Sequence, residues 1–197
     1  QFGLYYGRSS YNITSCDIAS YFPELRNDID SLYYGMYFCE FTDYITKENN
    51  DETQILKLLY QTLKAVAKKT IPLPLIRAIF ELKIISLEGE GPQVFQCVKC
   101  EKPLDASGNA GEYSFSPECR GLLCEGCRRH DYSARRLNCS TTYAMQYIVS
   151  KGIEKLYTFT VTGEVLEELA LSIEKYLSLI IDHEFKSLEA VKSLNEG

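Results

Sequence analysis

Apolar positions divide the chain into helical stretches around one long interruption. In residues 23–44, Ile29, Leu32, Tyr33, Met36, Tyr37 and Phe41 recur at three-four spacing, with Tyr44 near the end of the stripe. That period predicts one helix with this face inward. The polar residues 47–51 read as a loop, and Ile55, Leu58, Leu59, Leu63 and Val66 predict a second helix over 52–69. Pro72 and Pro74 break it. Pro74 suits the first turn of a third helix, 75–87, which Gly89 and Gly91-Pro92 close. Helical character resumes over 141–151, up to Gly152, and over 163–183, where Leu166, Leu169, Ile173, Leu177 and Ile180 form the stripe. Residues 187–194 are expected to add one more turn. Ahead of all these, residues 3–6 and 11–14 read as short strands joined by Gly7-Arg8-Ser9-Ser10, a hairpin that is marginal alone.

The interruption, residues 92–139, carries the chemistry. Cys97-Val98-Lys99-Cys100 and Cys124-Glu125-Gly126-Cys127 are two Cys-x-x-Cys knuckles separated by residues 101–123. Each can offer two thiolates from a tight turn, and together they complete a tetrahedral zinc site. Paired disulfides or unrelated thiols are the bland alternative. Four protein ligands leave no open position, so the expected zinc, one per chain, is structural and coupled to folding. Cys119 and His130 are the competing ligands, ranked lower because neither completes a knuckle. Within the module, residues 105–111 read as a flexible excursion with turn chemistry, and Tyr113–Ser116 alternates like a strand.

Composition narrows the class. The chain has 197 residues, 45% apolar and 24% charged, which suits an ordinary soluble protein with one substantial core. No apolar run reaches the roughly 18–20 residues needed to span a bilayer, and no secretory signal is visible, so no membrane association is expected. The first residue is Gln, which implies that something preceded it. Four of the eight cysteines are claimed by the metal and the rest are scattered, a pattern of a reducing, cytosolic compartment. A net charge of −6 argues against a dedicated nucleic-acid domain. The exception is local: Arg120, Arg128, Arg129, Arg135 and Arg136 outnumber Glu118, Glu125 and Asp131 around the second knuckle. Of these, Arg128, Arg129, Arg135 and Arg136 are the candidate phosphate-contacting edge.

Catalytic signatures are missing. There is no phosphate-binding Gly-rich loop, no nucleophile elbow and no zinc-protease histidine pair; the two histidines are His130 and His183. Glu40 and Glu81 lie near apolar stripes and are read as hydrogen-bonded structural carboxylates. The tyrosines and other aromatics of the helices are read as core. No enzyme and no small-molecule substrate are expected.

At this point the order of motifs resembles the RecO family of bacterial recombination mediators over essentially the whole chain. The residues carrying it are Phe22-Pro23-Glu24-Leu25-Arg26-Asn27-Asp28, Met36-Tyr37-Phe38-Cys39-Glu40-Phe41 and Phe80-Glu81-Leu82. They continue through the Cys97/Cys100 knuckle, Phe115-Ser116-Pro117, Gly121-Leu122-Leu123-Cys124-Glu125-Gly126-Cys127 and Glu184-Phe185-Lys186-Ser187-Leu188. Arg120-Gly121 departs from the family's Gly-Gly pair. The resemblance implies a mainly α fold. Residues 1–16 would be the remnant hairpin of a truncated N-terminal OB fold. Residues 17–91 and 141–197 would form a helical domain, and 92–140 the inserted four-cysteine zinc module. It also implies a mediator that binds single-stranded and duplex DNA, mainly through the absent OB domain, and anneals strands. Its partners would be RecR and the acidic, Phe-ended tail of single-stranded DNA-binding protein (SSB), and indirectly RecA, in the bacterial cytoplasm near the nucleoid. Ile76, Arg77, Ile79, Phe80 and Lys83 are the expected pocket for that tail. The alternative is a zinc-stapled helical module that binds only protein.

Overall fold

The structure is a computed structural model that describes residues 2–8, 10–18, 20–104, 113–129 and 131–195. The excursion expected at 105–111, and His130, lie outside the described residues.

The chain opens with an antiparallel hairpin, β1 (Phe2–Tyr6) and β2 (Tyr11–Cys16), in register Tyr6↔Tyr11 with an irregularity between Gly3 and Leu4. Its side chains are almost all exposed, including Phe2, Leu4, Tyr5, Tyr6, Tyr11 and Ile13. Then come a 3-10 turn (Pro23–Asn27), α1 (Ile29–Ile45), α2 (Thr53–Lys68) and α3 (Leu73–Leu87). A small sheet follows, β3 (Tyr113–Ser116), β4 (Gly121–Leu123) and β5 (Arg135–Leu137), in antiparallel order β4-β3-β5, with the short α4 (Glu125–Arg128) after β4. The chain ends with α5 (Cys139–Ser150), a 3-10 turn (Ile153–Lys155), α6 (Gly163–Ile180) and α7 (Lys186–Asn195).

The single helix expected over 23–44 is two elements. Asp28 is extended, and its carboxylate accepts from the Ser31 backbone N–H at 3.1 Å and the Ser31 hydroxyl at 2.5 Å. This is an N-cap that starts α1 afresh. The inward face also differs from the expected stripe. Ile29, Leu32 and Met36 are exposed, while Tyr34, Tyr37, Phe38 and Phe41 are buried beside Gly35. α1 is apolar on nearly every side, so several stripes satisfy the period. Which of them turns inward is set by the aromatic neighbours across the core.

α3 is that core's axis. Leu75, Ile76 and every residue from Ala78 to Ile85 are buried, so its whole circumference is covered. Phe80 meets Phe38 and Phe41 with ring centroids 4.7 and 5.7 Å apart. Even its charged members are committed inside. Glu81 accepts from the Tyr37 hydroxyl and from Arg77 Nε, each at 2.6 Å. The Lys83 ammonium donates to the carbonyls of Ile148, Val149 and Lys151 at 3.2, 2.9 and 2.7 Å, closing the C-terminal end of α5 as a cation should. Burial lowers the Lys83 pKa.

The two ends of the chain meet through Glu40. Its carboxylate accepts from the backbone N–H groups of Lys186 and Ser187, at 3.1 and 3.0 Å, and from the Ser187 hydroxyl. Phe185 stacks on Phe41 at 4.8 Å. Glu40 thus places an acceptor and a negative charge at the start of α7. Glu40 and Glu81 both have the hydrogen-bonded structural roles expected from sequence.

Candidate metal centre

The centre is built from two short backbone devices. After Cys97, the chain turns back through Glu101, which has φ 59°, with Glu101 N–H donating to the Cys97 carbonyl at 2.8 Å and Cys97 N–H to that of Lys102 at 2.9 Å. Val98 N–H bonds to the Leu122 carbonyl at 2.9 Å, tying this knuckle to β4. The second knuckle leaves β4 into α4, where the N–H groups of Cys127 and Arg128 both reach the Cys124 carbonyl at 3.0 Å. Gly121 is required by the close approach of the two: a Cβ there would lie 2.4 Å from the Gln93 carbonyl oxygen and 2.7 Å from Val98 Cγ1. Arg120, where the resemblance expects glycine, takes φ 58° and pairs with Glu90 at 2.9 Å.

These turns bring the sulfurs of Cys97, Cys100, Cys124 and Cys127 within 4.8 Å of one another. Cys100 and Cys124 Sγ are 3.7 Å apart, far beyond a disulfide bond. A tetrahedron with metal–sulfur bonds of about 2.3 Å has edges of about 3.8 Å. The arrangement therefore fits a four-thiolate metal site. The Cys124 N–H points at Cys97 Sγ from 3.4 Å. Burial raises the Cys97 thiol, but N–H groups of Cys124, Cys100 and Lys99 outweigh it and bring it down to about 6. Hydrogen bonds with Cys124 and Cys100 push Cys127 up to about 12. The cluster resists losing all four protons unless a cation replaces them. Cys119 lies outside it, its thiol donating to Asp131 at 3.2 Å. Asp131 also accepts from the Ser116 and Ser133 hydroxyls at 2.5 and 2.7 Å, which holds its carboxyl below the usual range.

The module shares a buried cluster with the helices, Phe115 meeting Tyr176 with ring centroids 6.0 Å apart, and polar side chains add specific ties. Gln146 Nε2 donates to the carbonyls of Val94 and Leu104 at 2.7 and 3.0 Å, and the Tyr176 hydroxyl to that of Glu90 at 2.7 Å. Glu168 accepts from Asn138 N–H and the Thr141 hydroxyl at 2.9 and 2.6 Å.

The other sequence-derived residues are placed less simply. Arg129, Arg135 and Arg136 are exposed and Arg128 is half-buried. Arg135 and Arg136 are neighbours on β5, so they leave the sheet on opposite faces. Arg136 pairs with Glu125 at 3.2 Å. Of the five expected tail-pocket residues, Ile76, Ile79 and Phe80 are wholly buried and Lys83 is engaged with α5. They therefore cannot line an open pocket. Arg77 alone reaches a cleft, of about 180 Å³, whose other walls include Leu177, Ser178, Ile181, Phe185 and Leu188. Burial works against its charge, and Glu81 more than restores it, so its pKa is raised. Periodicity could not find this cleft, because α6, α7 and the residues joining them supply most of it from more than ninety residues away. A larger cleft of about 1050 Å³ lies between the starts of α5 and α6, lined by Tyr143, Tyr147 and Phe159.

The chain is a mainly helical domain that carries, between its third and fifth helices, four cysteines grouped closely enough to hold a metal ion. The family model described as Recombination protein O C terminal matches residues 26–189, and the chain belongs to that family. It is also similar to proteins named DNA repair protein RecO. The one from Acetivibrio thermocellus is 28% identical over 196 residues, covering 99% of this chain and 76% of the relative. Those from Alkaliphilus metalliredigens and Clostridium kluyveri are each 28% identical, covering 98% and 97% of this chain and 77% and 72% of the relatives. Among the described residues, no helix is long and apolar enough to cross a membrane.

Proposed function

We propose that this chain acts in DNA repair and recombination as a mediator, without bond chemistry of its own, in the bacterial cytoplasm near the nucleoid. The observation that carries this is the family match across residues 26–189, which includes both knuckles. Zinc is the metal that suits four closely grouped thiolates in a closed site, and it would staple the module without activating water. We extend the proposal to DNA binding, strand annealing, RecR and RecA loading, for which the same membership is the support. The exposed apolar side chains of β1 and β2 suit the edge of a larger OB barrel of the kind the resemblance implies.

For the SSB tail, the Arg77 cleft is the better-suited pocket. Leu177, Ile181, Phe185 and Leu188 offer an apolar wall for a terminal Phe, and Arg77 a cation for its carboxylate. The Arg77–Glu81 pair lies beneath it, so the test variant should leave that pair intact. Ser178→Trp, from an exposed position on the cleft wall, should weaken binding of an acidic Phe-ended peptide. A peptide lacking its Phe should bind little better to wild type than to the variant. Equal binding by wild type and Ser178→Trp would move the tail elsewhere.

The wider reading is tested by fluorescence anisotropy of a labelled single strand across a salt series. Binding that weakens steeply with salt supports it. A chain that binds no oligonucleotide at low salt would instead be a metal-stapled module that binds only protein.

A further inference from the structure

Charge is distributed unevenly over the helices. α2 carries Lys57, Lys64 and Lys68, is followed by Lys69, and has no carboxylate anywhere from Thr53 to Lys68. α6 carries Glu164, Glu167, Glu168 and Glu174 against Lys175. α2 buries Ile55, Leu58, Thr62, Ala65 and Val66. With 3.6 residues per turn, Leu56, Lys57, Tyr60, Lys64 and Lys68 fall on the other side, and all five are exposed. Lys64 and Lys68 are separated by a rise of about 6 Å, comparable to the spacing of successive phosphates along a strand.

The segment entering α1 extends this face. Phe22 has φ 43° and ψ 54°, in the left-handed region that a bulky side chain rarely adopts. That backbone sets its ring edge-on to Tyr60, with centroids 5.7 Å apart. Tyr21, next to it, is 69% exposed, and Tyr60 is 45% exposed. Arg26 stands exposed on the same 3-10 turn. Lys57 is paired with Glu154 and Lys69 with Asp28. Among the described residues, Arg26, Lys64 and Lys68 form no ion pair. The face therefore combines the exposed Tyr60 ring, against which a strained backbone holds the half-buried Phe22 ring, with cations that form no ion pair and outnumber the one carboxylate of the turn, Glu24, in a chain whose net charge is −6.

We propose that this face of α2 and the preceding turn binds single-stranded nucleic acid, with Tyr60 and Phe22 stacking bases while Lys64, Lys68 and Arg26 contact phosphates. Single strands are favoured over duplex because the exposed Tyr60 ring and the half-buried Phe22 ring need unstacked bases. The inference rests on the nucleic-acid reading above and assigns it a surface separate from the arginines of the metal module.

The test is anisotropy of a labelled oligothymidylate across a salt series, with wild type and four variants whose folding is checked by thermal melting. Lys64→Gln with Lys68→Gln should weaken binding and flatten the salt slope by about 1.4 units, at about 0.7 per lost single-strand contact. Tyr60→Ala should weaken binding about fivefold or more at every salt concentration and leave the slope unchanged, and Tyr60→Phe should restore it. If the lysine variant keeps affinity and slope while Arg128→Gln with Arg129→Gln loses both, the inference is overturned and the DNA reading stands. If wild type binds no oligonucleotide, the DNA reading itself fails and the inference with it. If the lysine variant loses an acidic peptide but keeps the oligonucleotide, the face belongs to a protein partner and the inference is overturned.

Discussion

The metal module and the helical core hold themselves together by different means. Around α3, cohesion comes from many apolar contacts: Tyr37, Phe38, Phe41, Phe80 and the aliphatic side chains around them are buried in one continuous cluster. No single group there is indispensable in kind. The module has three short strands and a four-residue helix; Val94, Leu104, Phe115, Leu122, Leu123 and Leu137 are buried in the same cluster as the helices, while its two knuckles converge on sulfur. A unit with so little regular structure around its knuckles needs a staple. Damage should therefore be graded in the core and close to all-or-none in the module.

The largest expected effect follows from that contrast. Cys124→Ser, or a chelator, should abolish stoichiometric metal and unfold the module. Metal binding by such sites is worth on the order of 10 kcal/mol, and this is coupled to folding. Metal analysis beside near- and far-ultraviolet circular dichroism would check it. Helical signal from α1, α2 and α3 should survive. Loss of all helix together with the metal would show that the two regions are one cooperative unit.

Phe80→Ala is the complementary cut. Removing a wholly buried ring at the centre of the cluster should cost about 3–5 kcal/mol in chemical denaturation. Metal content at low denaturant should be unchanged. A parallel loss of metal would mean that the module depends on the core for its shape.

A smaller effect is expected where Glu40 holds the start of α7. Burial raises this carboxyl, but bonds from Ser187 and Lys186 outweigh it and leave its pKa lowered. A carboxyl lowered in the folded state contributes stability above its unfolded value, and that contribution is lost as pH falls through the folded value. The α7 amides should therefore lose hydrogen-exchange protection below about pH 4. Glu40→Ala should cost about 1 kcal/mol at neutral pH and remove this acid dependence. If the variant shows the same acid profile as wild type, another group is responsible.

The smallest change is Arg120→Gly. It relieves a left-handed backbone worth about 1–2 kcal/mol and removes an exposed ion pair with Glu90 worth about 0–1 kcal/mol. The expected result is a melting temperature equal to or slightly above wild type, with metal retained. A clear fall would show that the Glu90 contact anchors the module more strongly than exposure implies.

The same contrast explains what could be read from the sequence. The grouping of Cys97, Cys100, Cys124 and Cys127 was legible because two Cys-x-x-Cys turns at this spacing have few ways to pack. α2 was legible too, since its polar and apolar sides are cleanly separated. α1 was not. Its apolar residues wrap the helix, so Ile29 and Met36 fit the period as well as Tyr34 and Phe38 do, and only the partners across the core decide between them. The Asp28 cap interrupts an apolar pattern that runs on past it without a break. The tail pocket failed for a related reason. Ile76, Ile79 and Phe80 lie on a helix that is buried all round, which has no outward face to offer. The meeting of Glu40 with Lys186 and Ser187 spans 146 and 147 residues and has no local signature.

One further consequence concerns the order in which the molecule assembles. Lys83 on α3 clasps the end of α5, yet the whole module lies between the two helices in sequence. An unfolded excursion of about fifty residues makes their encounter a costly loop closure. Once the knuckles have closed on metal, the exit of α3 and the entry of α5 are held near each other before either helix has packed. Metal should then accelerate the packing of α3 and α5, neither of which supplies a ligand. In stopped-flow refolding, chain refolded with metal present should recover its helical signal faster than metal-free chain. Equal rates would mean that α3 and α5 find each other without help from the module.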